Sequence, residues 1–349
     1  MPHPTVVVAM SGGIDSSYTA AILKEQGYRV IGMTMVPVSG MEPVVEQARR
    51  VACALGIEHV RVDCTEAFHQ HIITPFCDAY RHGMTPNPCV QCNDTIKFGV
   101  LLQQAEACGA DFFATGHYAR ILRASSSLLH LLPGTDPRKD QSYFLYRLDQ
   151  RRLAKILMPL GTWRKEDVRE YVRRNGLPVS LGHESQDVCF LAGKSYGAFL
   201  EEYMDQHPAA GPILDRNGTV LGEHRGLIYY TIGQRRGIGI AAREPLYVVA
   251  LDASRNAVIV GSKKDLYHDR FTVRDVQWIS GYAPREPVAV YAKIRYLHAA
   301  ARAVITPGDD SQVRVCFDTP QLAITPGQSA VFYDIREWFV LGGGVIEAL

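Results

Sequence analysis

With 349 residues, 47% apolar and 21% charged, the chain is long enough for two or three folded units and has the balance of a globular protein. A net charge of +1 excludes global basicity as a nucleic-acid signal, so any RNA surface must rest on local clusters such as Arg151-Arg152, Arg235-Arg236 and Lys263-Lys264. No apolar run is long enough to span a bilayer, and Met-Pro-His-Pro lacks the basic head of a signal peptide, so a cytoplasmic protein without a membrane partner is expected.

The first two hundred residues alternate strand and helix. Val6 to Met10 is a short apolar run suited to a buried parallel strand, and a helical pattern follows from Ser16 to Gln26, closed by Gly27. Arg29 to Val36 reads as the next strand, Glu42 to Leu55 as a helix ended by Gly56, and Val60 to Asp63 as a third strand. Ala67 to Arg81 is helical apart from Pro75; Thr85 to Asn93 reads as a loop, Asp94 to Cys108 as a helix, and Asp111 to Thr115 as a strand. This order predicts an α/β fold with a doubly wound parallel sheet. Near Tyr203 the helical periodicity fades into short alternating segments split by turns at Asp215-Arg216-Asn217-Gly218, Pro307-Gly308-Asp309-Asp310 and Pro326-Gly327. Val288 to Arg295, Gln312 to Phe317 and Ser329 to Tyr333 are expected antiparallel strands. The expected division is 1–205, 206–272 and 273–349, the last two parts all-β.

Ser11-Gly12-Gly13-Ile14-Asp15-Ser16-Ser17 falls between the first strand and the first helix, where an open α/β sheet binds ligands. Two glycines allow close backbone approach to an anion, the helix N-terminus adds partial positive charge, and the serines offer hydroxyls. Asp15 beside phosphates needs a cation, for which Mg²⁺ is the natural choice. No lysine follows the loop, so it is not a Walker A motif; it resembles the pyrophosphate loop of ATP pyrophosphatases. Met35, at the end of the second strand, could pack on an adenine ring. Thr115-Gly116-His117-Tyr118 ends a later strand at the same sheet edge, where Gly116 would admit a nucleotide and His117 could equally be a satisfied interior histidine.

The eight cysteines are not expected to form a structural disulfide framework in a reducing compartment. Cys53, Cys108 and Cys316 sit among apolar residues and read as core positions, while Cys64 and Cys77 are ambiguous. Cys89 and Cys92 lie in Thr85-Pro86-Asn87-Pro88-Cys89-Val90-Gln91-Cys92-Asn93, a loop pinned by prolines. With Asn93 as N-cap, Cys92 would sit at a helix N-terminus, which favours thiolate. Cys189 stands far away in Glu184-Ser185-Gln186-Asp187-Val188-Cys189-Phe190. The CxxC pair alone could be half of a zinc or redox site, but no second CxxC completes four ligands.

Taken together, SGGIDSS, TPNPCVQCNDTIKFG, ATGHYAR, KDQSYFLY, SQDVCF, GLIYYTIGQRRGIGI, KIRYLHA and GQSAVFYD with VLGGGVI resemble the tRNA-specific 2-thiouridylases, in family order over nearly the whole chain. The resemblance implies an adenine-nucleotide hydrolase-like N-terminal domain, a small central domain and a C-terminal β-barrel. It implies ATP-dependent adenylation of a wobble uridine at C2 and its replacement by sulfur. It assigns ATP binding to Ala9, Met10, Ser11, Gly12, Gly13, Ile14, Asp15, Ser16, Met35 and Gly116, the nucleophile to Cys92 and the persulfide to Cys189. Asn87, Pro88 and Cys89 match the segment that meets the target base; Lys139, Asp140, Gln141, Arg295 and Tyr296 match tRNA-contacting segments. The implied partners are tRNA and a cysteine desulfurase or sulfur-relay protein, and a Cys92–Cys189 disulfide would mark turnover.

Two departures stand out. Position 89 is often Asp in the family but is Cys89 here, so no general base is assigned. The stretch from Met35 to Glu42 is shorter than usual and lacks the customary acidic cluster. The three thiolates of Cys89, Cys92 and Cys189 could instead hold an iron–sulfur cluster. An amide-forming ATP pyrophosphatase would need an ammonia source, and no glutaminase segment is visible. A non-catalytic tRNA-binding module would not need the nucleotide loop.

Overall fold

The computed structural model describes residues 3–124, 128–179, 188–191, 193–204, 208–308 and 311–347. Five parallel strands form the first sheet, in the order β3-β2-β1-β4-β7: β1 (Thr5–Ala9), β2 (Arg29–Val36), β3 (Glu58–Asp63), β4 (Phe112–Ala114) and β7 (Ile156–Leu157). Val6, Val7 and Val8 are fully buried on both faces, which is why β1 carries a continuous apolar run and lies at the centre. After β3 the chain returns to the other side of β1 to form β4, so the strand order reverses between β1 and β4 while the strands stay parallel. That reversal opens a crevice at the carboxyl ends of those two strands. A β5–β6 hairpin (Ala119–Arg123 and Leu129–Pro133) leaves the sheet after β4.

Two helical runs depart from the sequence reading. The run Thr65–Arg81 passes Pro75 because the π segment His69–Ile73 precedes it, placing the break in the regular ladder just before the residue without an N–H. The expected loop up to Asn93 ends earlier, since helix begins at Pro88. Asn87 caps it by accepting from the Val90 N–H at 3.3 Å, and proline is well suited to the first helical position. The helix continues as a ten-residue π segment, Cys92–Leu101, and closes as Leu102–Ala107.

Beyond helix Tyr196–Met204 the described chain is strands and short turns. A four-stranded sheet has the order β10-β11-β8-β9, from β8 (Gly211–Leu214), β9 (Val220–His224), β10 (Tyr247–Asp252) and β11 (Ala257–Gly261). The last unit is a closed barrel in the order β12-β15-β14-β13-β16-β17, made of β12 (Tyr267–Trp278), β13 (Val288–Lys293), β14 (Ala301–Pro307), β15 (Val313–Leu322), β16 (Ser329–Asp334) and β17 (Val340–Ile346). Alternation along β15 buries Val313, Val315 and Phe317 and turns Cys316 outward. Cys316 is therefore not a core residue, and Cys53, on its helix, and Cys108, just past the end of helix Leu102–Ala107, are likewise exposed, whereas Cys64 and Cys77 are buried.

The barrel docks on the N-terminal unit through buried polar contacts. Tyr143 Oη donates to the Ser329 carbonyl at 2.9 Å, Ser329 Oγ donates to Tyr146 Oη at 3.3 Å, and the Ser142 and Tyr333 hydroxyls lie 3.3 Å apart. A side chain at Gly343 would place its Cβ 2.9 Å from the Tyr146 ring, so the barrel wall must be bare there. Tyr143→Phe should lower stability by about 1–3 kcal/mol, because it orphans a buried carbonyl while removing almost no packing. A drop in the midpoint of urea unfolding at unchanged steepness is the expected measurement.

Candidate active site

The loop Ser11–Ser17 sits at the crevice between β1 and β4. Gly13 is the N-cap of helix Ile14–Glu25 and offers no side-chain cap, leaving first-turn N–H groups for an anion. The loop is held from within: the Ser11 N–H donates to Ser16 Oγ at 3.1 Å, and Ser17 Oγ donates to the Gly13 carbonyl at 2.8 Å. Gly12 has φ +70°, and a Cβ there would meet Gln47 Cγ at 2.5 Å and Ala48 N at 2.8 Å. Its requirement is thus backbone conformation and contact with helix Glu42–Leu55 as well as ligand approach. A Cβ at Gly116 would lie 3.1 Å from Asp15, so this glycine lets β4 close on the first helical turn. Ala9 is half-buried at the end of β1, Met10 is buried, and Met35 is half-buried at the end of β2.

Asp15 does not present a bare carboxylate. Lys165 Nζ donates to both of its oxygens at 2.7 Å, and Tyr118 Oη donates to Oδ1 at 2.8 Å. A first-sphere magnesium ligand needs carboxylate oxygens open to the ion, so the expected Mg²⁺ role does not fit Asp15 as it is held. Neither Lys165 nor Tyr118 was assigned from the sequence; nothing in a separation of 150 residues signals the pair.

Cys92 lies within a continuous helix, buried at 7% exposure, rather than at a helix start; the cap is Asn87, and Asn93 instead donates from Nδ2 to the Phe144 carbonyl at 3.2 Å. Burial, with no helix terminus to offset it, pushes the Cys92 thiol up to about 12, the reverse of the expected activation. Cys89 and Cys189 are exposed, though the protein packed around each sulfur also raises them. The three thiols stand close enough for charge on Cys189 to act on Cys89 and Cys92, and all eight cysteines are free. Glu184, Ser185, Gln186 and Asp187, expected to frame Cys189, lie outside the described residues. Among the described residues no three His, Cys, Asp or Glu side chains converge as a metal site.

One cation opposes this burial at all three sulfurs: Lys97 pulls each of them down. Lys97 is five residues after Cys92. In an α-helix that spacing turns the two side chains apart, whereas the wider π turn of Cys92–Leu101 brings residues five apart to one side. Asp94, the acid in the same helix, is taken by Arg147 and Arg152. Lys97 also acts on His117, which is buried, lies 2.8 Å from Thr115 Oγ1 through Nδ1 and packs against Phe98. Burial holds His117 well below the ordinary histidine range, so it is a neutral, satisfied interior histidine.

The segments expected to contact RNA are also structurally engaged. Asp140 accepts from the Gly134 and Ser142 N–H groups; Gln141 exchanges two hydrogen bonds with the Tyr118 backbone. Lys139 is half-buried beside them. Arg295 donates to the Leu322 carbonyl at 3.0 Å, and Tyr296 packs on the Phe144 ring at 4.5 Å. Gln328, not assigned from the sequence, donates to the Thr85 carbonyl at 2.8 Å and the Pro86 carbonyl at 3.3 Å, so the barrel grips the loop that precedes the cysteines. With Thr85, Lys263 and Arg295 it lines a cleft of about 450 Å³ where the three units meet.

Residues 4–193 match the family described as tRNA methyl transferase HUP domain, 197–262 the tRNA methyl transferase PRC-barrel domain and 268–346 the Aminomethyltransferase beta-barrel domain. A protein of Desulforudis audaxviator named tRNA-specific 2-thiouridylase MnmA is 48% identical over 344 residues, covering 98% of both chains. The chain belongs to the tRNA-specific 2-thiouridylase family. A second 2-thiouridylase, from Geobacter metallireducens, is 46% identical over 98% of this chain and 96% of its own. Among solved structures, the U34-tRNA thiolase NcsA of Methanococcus maripaludis with its [4Fe-4S] cluster is similar at 17% identity and TM-score 0.37, over 59% of this chain and 66% of that one. No helix among the described residues of this 2-thiouridylase family member is long and apolar enough to cross a membrane.

The contrast among the cysteines is open to direct measurement. At pH 7.5 iodoacetamide should modify Cys189 and Cys89 at least about tenfold faster than Cys92, since a thiol with a pKa near 12 is almost wholly protonated there and buried besides. Raising the pH toward 10 should increase Cys92 labelling, about tenfold per pH unit, as its thiolate fraction grows. Peptide mass spectrometry of each alkylated cysteine gives the rates; equal rates at neutral pH would contradict the burial of Cys92.

Proposed function

We propose that the chain binds ATP at Ala9–Ser16, Met35 and Gly116, adenylates C2 of the wobble uridine of tRNA, and exchanges that oxygen for sulfur carried by Cys189. The observation that carries this reading is the convergence at Lys97: one side chain acts both on His117, which follows Gly116 at the nucleotide crevice, and on the three thiols. That shared cation supports placing adenylation chemistry and sulfur chemistry together, as transfer to a single carbon requires.

The uridine C2 oxygen attacks the α-phosphorus of ATP and pyrophosphate leaves, turning a poor leaving group into a phosphate ester. Loop N–H groups stabilise the departing charge. The terminal sulfur of a Cys189 persulfide attacks C2, and AMP departs with the former C2 oxygen. Cys92 attacks the inner sulfur of Cys189, so the electron pair of the old S–S bond remains on the transferred sulfur and a Cys92–Cys189 disulfide forms. A thiol reductant then restores both thiols, and a cysteine desulfurase or relay protein reloads Cys189. The base reaches the site unstacked, at small cost in an anticodon loop. Mg²⁺ would enter with the phosphates and would neutralise their charge. The nearest alternative is an iron–sulfur cluster on Cys89, Cys92 and Cys189.

We assign the tRNA surface to Asn87, Pro88, Cys89, Lys139, Asp140, Gln141, Arg295 and Tyr296, of which Arg295 lines the cleft. Replacing Cys189 by Ser should leave tRNA adenylation intact but abolish persulfide loading. Cys92→Ser should load sulfur at Cys189 yet not complete turnover, so ³⁵S label accumulates on the protein. Metal-free protein given ATP, tRNA and a persulfide donor anaerobically should thiolate; strict dependence on reconstituted iron would overturn the roles given to both cysteines. Arg295→Ala should weaken tRNA binding and reduce the salt slope by about one, as loss of one phosphate contact does. An unchanged slope across a salt series returns Arg295 to its bond with Leu322.

A further inference from the structure

A carboxylate at the phosphate loop poses an electrostatic problem. Asp15 is the second residue of helix Ile14–Glu25, next to the N–H groups that would receive a polyphosphate. An uncompensated negative charge there would repel the ligand that the loop is built to hold. The structure supplies the compensation from the chain itself. The Lys165 side chain is only 6% exposed, and its ammonium bridges both Asp15 oxygens at 2.7 Å. Tyr118 completes the arrangement, with its hydroxyl on Asp15 and its ring 5.8 Å below the ammonium.

Lys165 is also fixed from behind. It opens helix Lys165–Arg174, and its backbone N–H donates to Asp136 Oδ2 at 3.2 Å, with Asp136 buried at 4% exposure. The helix that carries it packs directly on the helix that carries Asp15. A long, flexible side chain has been deprived of solvent and aimed at the first turn after the loop. A stability role alone is a poor account of this, since a buried ion pair contributes little net stability against an apolar pair of the same shape.

We propose that Lys165 is a residue of the nucleotide site, its ammonium held by Asp15 as a positioning residue and acting on the bound polyphosphate beyond cancelling the loop carboxylate. The inference rests on the reading of Ser11–Ser17 as the ATP loop. It replaces a metal at Asp15 with an ammonium on a neighbouring helix and explains why the loop carries no lysine of its own.

The test is ATP binding by calorimetry on the full chain, with EDTA and with Mg²⁺. Lys165→Met should weaken ATP about tenfold or more in both conditions, and Lys165→Arg should recover most of that loss. Asp15→Asn should leave the Mg²⁺ concentration for half-saturation unchanged. The double variant D15N/K165M strands no buried charge, so it should keep the wild-type thermal midpoint, bind ATP better than K165M by the removed repulsion, and still fall several-fold short of wild type because the ammonium is gone; it carries the comparison if K165M is unstable. ATP binding by K165M or the double variant within twofold of wild type overturns the assignment. So does a raised Mg²⁺ requirement in D15N but not in K165M, which would make Asp15 a metal ligand. A wild-type chain that does not bind ATP overturns the loop reading itself.

Discussion

The contact of Tyr143 and Tyr146 with Ser329 fixes the geometry of the whole molecule. A closed barrel has no free strand edge, so it cannot attach by extending a sheet and must dock through side chains and loops. Those hydroxyls, buried with Ser142 and Tyr333, orient the barrel against the 3₁₀ turn Ser142–Leu145. Once docked, the barrel presents Pro326 to Gln328 to the chain ahead of the cysteines: the Thr85 N–H donates to the Pro326 carbonyl, and Gln328 reaches back to Thr85 and Pro86. The start of the cysteine-bearing helix is therefore set by a unit more than two hundred residues away.

The site balances two opposing electrostatic demands. Sulfur transfer needs anionic sulfur, which burial penalises, yet the activated uridine must be shielded from water, which burial provides. Cys92 bears the greater cost of burial, while Cys189 is exposed. Lys97 is the common offset at all three thiols. A similar logic operates at the nucleotide loop, where Asp15 is balanced by Lys165 and not left bare.

Much of this architecture was legible in the sequence because its signals are local. The Val6–Val8 run announced a central strand, and alternation after Tyr203 announced β structure. The motif blocks pointed to the family. What failed or was invisible depends on long-range or helix-specific geometry. Asn93 looked like an N-cap because a loop was expected up to it, but the Asn87-Pro88 pair starts the helix earlier. Cys53 had apolar neighbours in sequence yet faces outward, since sequence adjacency does not choose a helix face, and Cys108 lies exposed in the turn after its helix. Lys165 has no local cue at all. Lys97 stood inside a recognised block, but its spacing from Cys92 is meaningful only in a π turn, which composition does not predict.

That π segment changes what the site stores. In an ordinary helix the identity of residues at fixed faces is the information, and a conservative replacement preserves it. Here part of the information is length. Shortening Cys92–Leu101 by one residue would let the backbone relax to better α-helical hydrogen bonds while keeping Cys92, Lys97 and Phe98 all present. If the residue lost lay beyond Phe98, Cys92 and Lys97 would remain five apart on an α-helix and the cation would swing off the thiol face; a loss between the two leaves them four apart, a spacing that an α-helix keeps on one face. The active site is encoded in the count of residues between its groups as much as in the groups themselves.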